Sequence, residues 1–153
     1  MPPSPDAPLF FVDECLGRRF VGAALEAAGE STVSMPKGTA DVEWLERGGM
    51  EGWLCLTKDH RLLTRPNELA MLRGARVRVF AVGKKMTGPE NARRFVGALP
   101  ILKRAASAIA LSFFARIDPS GDLVVRLEAG ERLARPWTFR ATAEERQHFG
   151  STA

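Results

Sequence analysis

Hydrophobic and polar positions in this chain follow two alternating rhythms. Continuous apolar runs, the pattern of strands buried on both faces, occur at Leu9-Phe10-Phe11-Val12, Trp53-Leu54-Cys55-Leu56-Thr57 and Val77-Arg78-Val79-Phe80-Ala81-Val82. Ser31 to Met35 is a shorter run of the same kind. Between them the spacing is helical. Gly17 to Ala28 predicts a helix with Phe20, Val21, Ala24, Leu25 and Ala28 on one stripe and Gly29 as its stop. Ala40 to Arg47 predicts a short helix carrying Val42, Trp44 and Leu45, ended by Gly48-Gly49. Pro66 to Leu72 predicts another, with proline suited to its first turn. Thr87-Gly88-Pro89-Glu90 has capping-box spacing and opens a helix reaching about Ala110, with an interruption expected near Pro100. Phe113–Ile117 and Leu123–Leu127 flank the turn sequence Asp118-Pro119-Ser120-Gly121-Asp122, a hairpin signal.

Four strand-then-helix units followed by a hairpin predict an α/β fold. It is a doubly wound, mainly parallel sheet with helices on both faces and a C-terminal β-hairpin. The organisation expected is a disordered proline-rich leader over residues 1–8, one domain over 9–129, and a tail over 130–153 with one short helix beginning near Thr142.

Composition changes this picture little. A chain of 153 residues, 45% hydrophobic and 26% charged, suits one globular domain with a core that needs no disulfide. The net charge of +4 is compatible with a polyanionic partner and equally with a solvated surface. Cys15 and Cys55 lie in or beside apolar runs without CxxC spacing, which argues for small core residues and against a zinc site. The leader has no basic start and no apolar core of signal-peptide length, and the longest apolar stretch, residues 105–115, is too short to cross a bilayer. A cytoplasmic protein without membrane contact is expected.

The candidate chemistry lies in three carboxylates. Asp13 ends the first apolar run, Asp41 opens a short helix, and Asp59 follows the run ending at Thr57. Each alone fits a structural role: a turn acceptor for Asp13 or Asp59, a favourable charge in a helix's first turn for Asp41. In a parallel α/β sheet, however, all three junctions share the carboxyl edge. Acids meeting there repel by about 4 kcal/mol per pair at 4 Å and an effective dielectric near 20. A hard divalent cation, Mg2+ or Mn2+, relieves that repulsion through oxygen ligands.

Phe10-Phe11-Val12-Asp13-Glu14-Cys15-Leu16, then Ala40-Asp41-Val42-Glu43-Trp44-Leu45, then Leu56-Thr57-Lys58-Asp59 resemble the PIN-like domain family, in particular its VapC-like branch, the ribonuclease toxins of bacterial toxin–antitoxin modules. The resemblance spans roughly Leu9 to Gly83. It implies a metal-dependent ribonuclease in which Asp13, Asp41 and Asp59 hold the metal. Glu14, beside them, would orient the attacking water. It also implies an RNA substrate, an antitoxin protein as partner, and 5′-phosphate and 3′-hydroxyl products. Many relatives carry a further acid after the Asp59 position; His60 and Arg61 stand there instead, which favours one Mg2+ over two.

Around the acids, Lys37, Lys58, His60, Arg61 and Arg65 are candidates to contact RNA phosphates, or simply solvated charges. Trp44 and Trp53 fall inside apolar patterns and read as core; Trp137 is open to base stacking. Whether the chain pairs with itself as a homodimer is left open. Two alternatives remain: a catalytically inactive PIN-like binding module, and a phospho-receiver signalling domain. The latter needs a lysine after its fifth parallel strand, whereas Lys84 and Lys85 follow the fourth.

Overall fold

The structure, a computed structural model, describes residues 8–152, the Arg18 side chain excepted. The leader expected over residues 1–8 lies, but for Pro8, outside the described residues. Seven strands form one sheet: β1 (Leu9–Val12), β2 (Ser31–Val33), β3 (Leu54–Thr57), β4 (Arg78–Ala81), β5 (Phe113–Ile117), β6 (Leu123–Glu128) and β7 (Glu131–Phe139). Their spatial order is β2-β1-β3-β4-β5-β6-β7. β1 to β5 are parallel; β6 runs antiparallel to β5, and β7 antiparallel to β6. Five α-helices accompany them among the described residues: α1 (Ala23–Ala27), α2 (Asp41–Glu51), α3 (Pro66–Gly74), α4 (Gly88–Ala108) and α5 (Ala143–Thr152).

Strand pleating sorts side chains into two cores. Phe10, Val12, Leu54, Leu56, Phe80, Phe113 and Ala115 face α1, α4 and α5, while Phe11, Trp53, Cys55, Val79, Ala81 and Phe114 face α2 and α3. The parity breaks once. Phe114 pairs with Leu127 but Ala115 pairs with Val125, so Arg126 is an extra residue in β6. That bulge turns Leu127 to the α2–α3 face although Leu123 and Val125 point to the other.

The structure departs from the sequence pattern at four places. The helix expected over Gly17–Ala28 begins as a π-helical turn, Gly17–Gly22, before α1. Gly48-Gly49 does not end α2, which runs on to Glu51 and is capped by Gly52 at φ 72°. These glycines serve close packing instead: a Cβ on Gly48 would meet the Cys55 sulfur at 2.7 Å, and one on Gly49 would collide with the Ala75 carbonyl. α4 continues through Pro100. Proline leaves the Val96 carbonyl without its helical donor, and His148 Nε2 from α5 donates to that oxygen at 3.2 Å. Finally, the segment expected to be a tail supplies β7, the longest described strand, ahead of the helix expected near Thr142, which is α5. β7 is a sheet edge, so it tolerates Pro136 and shows mostly exposed side chains rather than an apolar alternation.

Candidate active site

After β1 the chain crosses to β2 on one side, then returns to place β3 on the other side of β1. Parallel sheets bind ligands at such a reversal, outside the carboxyl ends of the strands. Val12 is in register with Leu56, and the Asp13 amide donates to the Leu56 carbonyl at 3.0 Å. Asp13 therefore stands opposite Thr57. Asp59 lies two residues beyond β3, and Asp41 is the first residue of α2.

Asp13 is buried, 6% exposed. Its Oδ2 accepts from Thr57 Oγ1 at 2.7 Å and from Cys15 Sγ at 3.2 Å. Burial first, then the Asp13 charge, pushes the Cys15 thiol up to about 12, so it remains a donor. Thr57 Oγ1 in turn accepts from the Asp59 amide at 3.0 Å, which ties the first acid's support to the third acid's backbone. Sequence reasoning treated Thr57 as strand and Cys15 as core. The usable signal was a hydroxyl closing an apolar strand directly across from Asp13.

Asp41 and Asp59 are joined by one cation. Arg65 lies 3.7 Å from Asp41 Oδ2 and 3.6 Å from Asp59 Oδ2. Asp41 Oδ1 accepts from Trp44 Nε1 at 3.0 Å, and Asp59 Oδ1 accepts from the Arg61 amide and Nε at 3.0 and 3.1 Å. The two carboxyls respond differently. Burial raises Asp41 above the ordinary carboxylate value against the Trp44 hydrogen bond, and the charges of Asp13, Asp59 and Glu68 raise it further. At Asp59 burial pushes the same way, but the Arg61 hydrogen bonds and the charges of Arg61 and Arg65 outweigh it and bring the value down. Asp41 thus lies within electrostatic reach of both Asp13 and Asp59.

The remaining sequence candidates separate. Glu14 Oε2 accepts from the Gly38 amide at 3.1 Å, pinning the loop after β2, where Gly38 has φ 86°. Glu14, Asp13 and Lys37 share the wall of a cavity of about 410 Å3 with Phe11, Met35 and Trp44. Lys58 is half-buried, its backbone beside the Cys15 thiol. Arg61 and Arg65, candidates for RNA phosphates, form ion pairs with the acids in this structure. His60 is engaged by the fold: its Nε2 donates to the Val82 carbonyl at 2.8 Å, and its ring meets Phe114 edge-on at 5.8 Å. Burial, with Arg126, Lys84 and Arg116 adding to it, lowers the His60 value despite the Val82 bond. Trp44 and Trp53 stack on Phe11 at 4.9 and 5.5 Å, as core.

Among the described residues, no group of three or more His, Cys, Asp and Glu side chains is arranged as a ready metal-ion ligand set. The donor chemistry nevertheless fits a hard cation. All three acids offer carboxylate oxygen, Asp13 Oδ1 accepts nothing among the described residues, and Asp41 and Asp59 already share one positive charge, that of Arg65. Also among them, no helix is long and apolar enough to cross a membrane.

No curated protein and no solved structure compared with the chain gives a match. The family described as "PIN like domain" matches residues 8–84, half of the chain, from β1 to just past β4. That stretch contains Asp13, Asp41 and Asp59 together with the strand reversal that gathers them, and the chain belongs to the PIN-like domain family.

Proposed function

We propose that this protein is a metal-dependent ribonuclease, the toxin of a type II toxin–antitoxin module. The PIN-like domain is a nuclease-type fold, which supports a hydrolase at the coarse level. The observation that carries the finer reading is Asp41: a carboxyl at a helix start, held above its ordinary value by burial and by two other acids from separate junctions. A carboxyl raised in this way, with only a long contact to a shared Arg65 set against its acidic neighbours, is costly and marks functional sites.

In this reading Asp13, Asp41 and Asp59 hold Mg2+ or Mn2+. When bound, such an ion supplies a water of lowered pKa and neutralises charge on the phosphate being attacked. The chain's own groups do the positioning. Thr57 fixes the Asp13 carboxylate, and Trp44 fixes Asp41. Arg65 and Arg61 give up their acids to reach the phosphates flanking the scissile bond, and Lys37, which lines the same cavity as Asp13, meets a further phosphate. Glu14 orients the water once Gly38 releases it. The expected partner besides RNA is a cognate antitoxin protein.

The test is incubation with total RNA in Mn2+ or in EDTA. Wild type should cleave only with the ion, Asp13→Asn should not cleave, and Mn2+ should raise the melting temperature of wild type alone. No cleavage and no ion-linked stabilisation would remove the enzyme reading and leave an inactive PIN-like binding module. Normal bacterial growth on expression without the neighbouring reading frame would count against the toxin role. The phospho-receiver alternative loses ground on geometry: β5 runs out at Ile117 into Asp118-Pro119, with no lysine at that position.

A further inference from the structure

α2 and α3 bury the sheet face beneath them only partway across. Of β5, β6 and β7, that core includes Phe114 and Leu127 and no other buried side chain. Beyond these two, the same face presents Arg116, Val124 and Thr138, which pair across the three strands in one row and are all half-exposed. Arg126, the extra residue of the β6 bulge, lies next to this row, and Lys84 follows β4 at the carboxyl edge. The charges of Arg126, Lys84 and Arg116 all reach His60, whose ring rests on Phe114.

Among the described residues none of these three cations has an ion pair or side-chain hydrogen bond. Among the described residues Lys37, Lys58, Lys85 and Arg93 are likewise without one, so it is the location of the three beside the acid edge that sets them apart, while six other basic residues are engaged. Arg61, Arg65, Lys103, Arg104, Arg140 and Arg146 each meet a carboxylate. Like charges gathered on one side of a protein repel one another, and an anion lying among them relieves that repulsion. Their position also matters, since the patch adjoins the acid edge through Asp59, His60 and Phe114.

We propose that the helix-free part of this face, carrying Arg116, Arg126 and Lys84, is a track for the phosphate backbone of single-stranded RNA leading to Asp13, Asp41 and Asp59. The proposal rests on the ribonuclease reading for its choice of polyanion. Contacts of this type are to phosphate, so they supply affinity and direction without sequence preference. An acidic protein segment is the competing occupant. RNA is favoured because the cations continue from the site where a phosphodiester would be cut.

The experiment is a fluorescence-anisotropy titration of a labelled single-stranded RNA in EDTA, at several salt concentrations, so that binding is read without cleavage. Arg116→Gln/Arg126→Gln should bind at least tenfold more weakly than wild type. The slope of log affinity against log salt should fall by about 1.4, two phosphate contacts at about 0.7 each for a single strand. Arg93→Glu, on exposed α4 surface over the opposite face, should bind like wild type. Lys84→Gln, in a loop, serves as a second variant if the double one does not fold, with a proportionately smaller loss. Unchanged affinity and slope in the folded variants overturn the track, as does a wild type that binds no RNA. A polyglutamate probe bound in preference to RNA, and lost in the same variants, assigns the face to an acidic protein and also overturns it. Wild type that binds RNA through these residues yet never cleaves it with Mn2+ upholds the track while sinking the nuclease reading.

Discussion

Two aspartate clusters with arginines lie at opposite ends of this chain, and they differ in how completely their charge is met. At the hairpin, Asp122 is buried, and its Oδ1 accepts from the Ala141 amide at 2.8 Å and from Arg146 at 2.9 Å. Asp118 Oδ1 accepts from the Ser120 amide and hydroxyl and from the Asp122 amide. Burial resists the Asp122 charge, but the Ala141 bond, the Arg146 charge and the Ser120 bond outweigh it and lower its value. At the β1–β3 strand reversal, Asp41 moves the other way, because part of its surroundings is more carboxylate. A closed polar network stabilises the fold, whereas an open one leaves charge for a ligand to meet.

The largest test of this contrast is Asp122→Ala. It strands Ala141 N–H and two arginines and loosens α5 from the β5–β6 turn, so stability should fall by about 3 kcal/mol in urea unfolding. RNA cleavage per folded molecule should be unchanged; a selective loss of activity would blur the two clusters into one.

Thr57→Val comes next. It removes the donor to Asp13 and the acceptor for the Asp59 amide in a fully buried position, at a cost of about 2 kcal/mol. Here activity should drop beyond what the lost stability explains, as seen by comparing rates with the folded fraction.

Smaller and of opposite sign are the two edge acids without added metal. Asp59→Asn should destabilise by about 1 kcal/mol, since its paired carboxylate is partly exposed. Asp41→Asn should be neutral or slightly stabilising, because it relieves repulsion while an amide oxygen still accepts from Trp44. Thermal melts in EDTA check both, and equal destabilisation would show that Asp41 carries no excess charge.

The smallest effect is the pH dependence of these differences. The lowered Asp59 value gives a stabilisation present above the unfolded value of about 3.9 and lost as pH falls through the folded one. The raised Asp41 value gives a penalty present at neutral pH and relieved as pH falls through its folded value, above about 3.9. The stability gap between wild type and Asp41→Asn should therefore close on acidification before that for Asp59→Asn begins to do so.

Much of the architecture was legible because buried parallel strands are written as apolar runs. Leu9–Val12 and Phe113–Ile117 fall where the pattern put them. β7 was not legible, since an edge strand need satisfy neither face, and Arg, Glu and Pro suffice there. Pro100 read as a break because its remedy, His148, lies on another helix. Gly48-Gly49 read as a stop because their close neighbours, Cys55 and Ala75, come from later in the chain.

The sequence by itself determined every described strand but β7, most of the helices, and the acids at their junctions, since periodicity and turn chemistry are local. Only the tertiary structure decided which charges keep company. It gave Arg65 to Asp41 and Asp59, gave Thr57 to Asp13, closed the Asp122 network with α5, and left Arg116 and Arg126 without a carboxylate among the described residues. The reason is physical: a charge acts through distance and dielectric, and both are set by residues that meet only after the sheet is assembled.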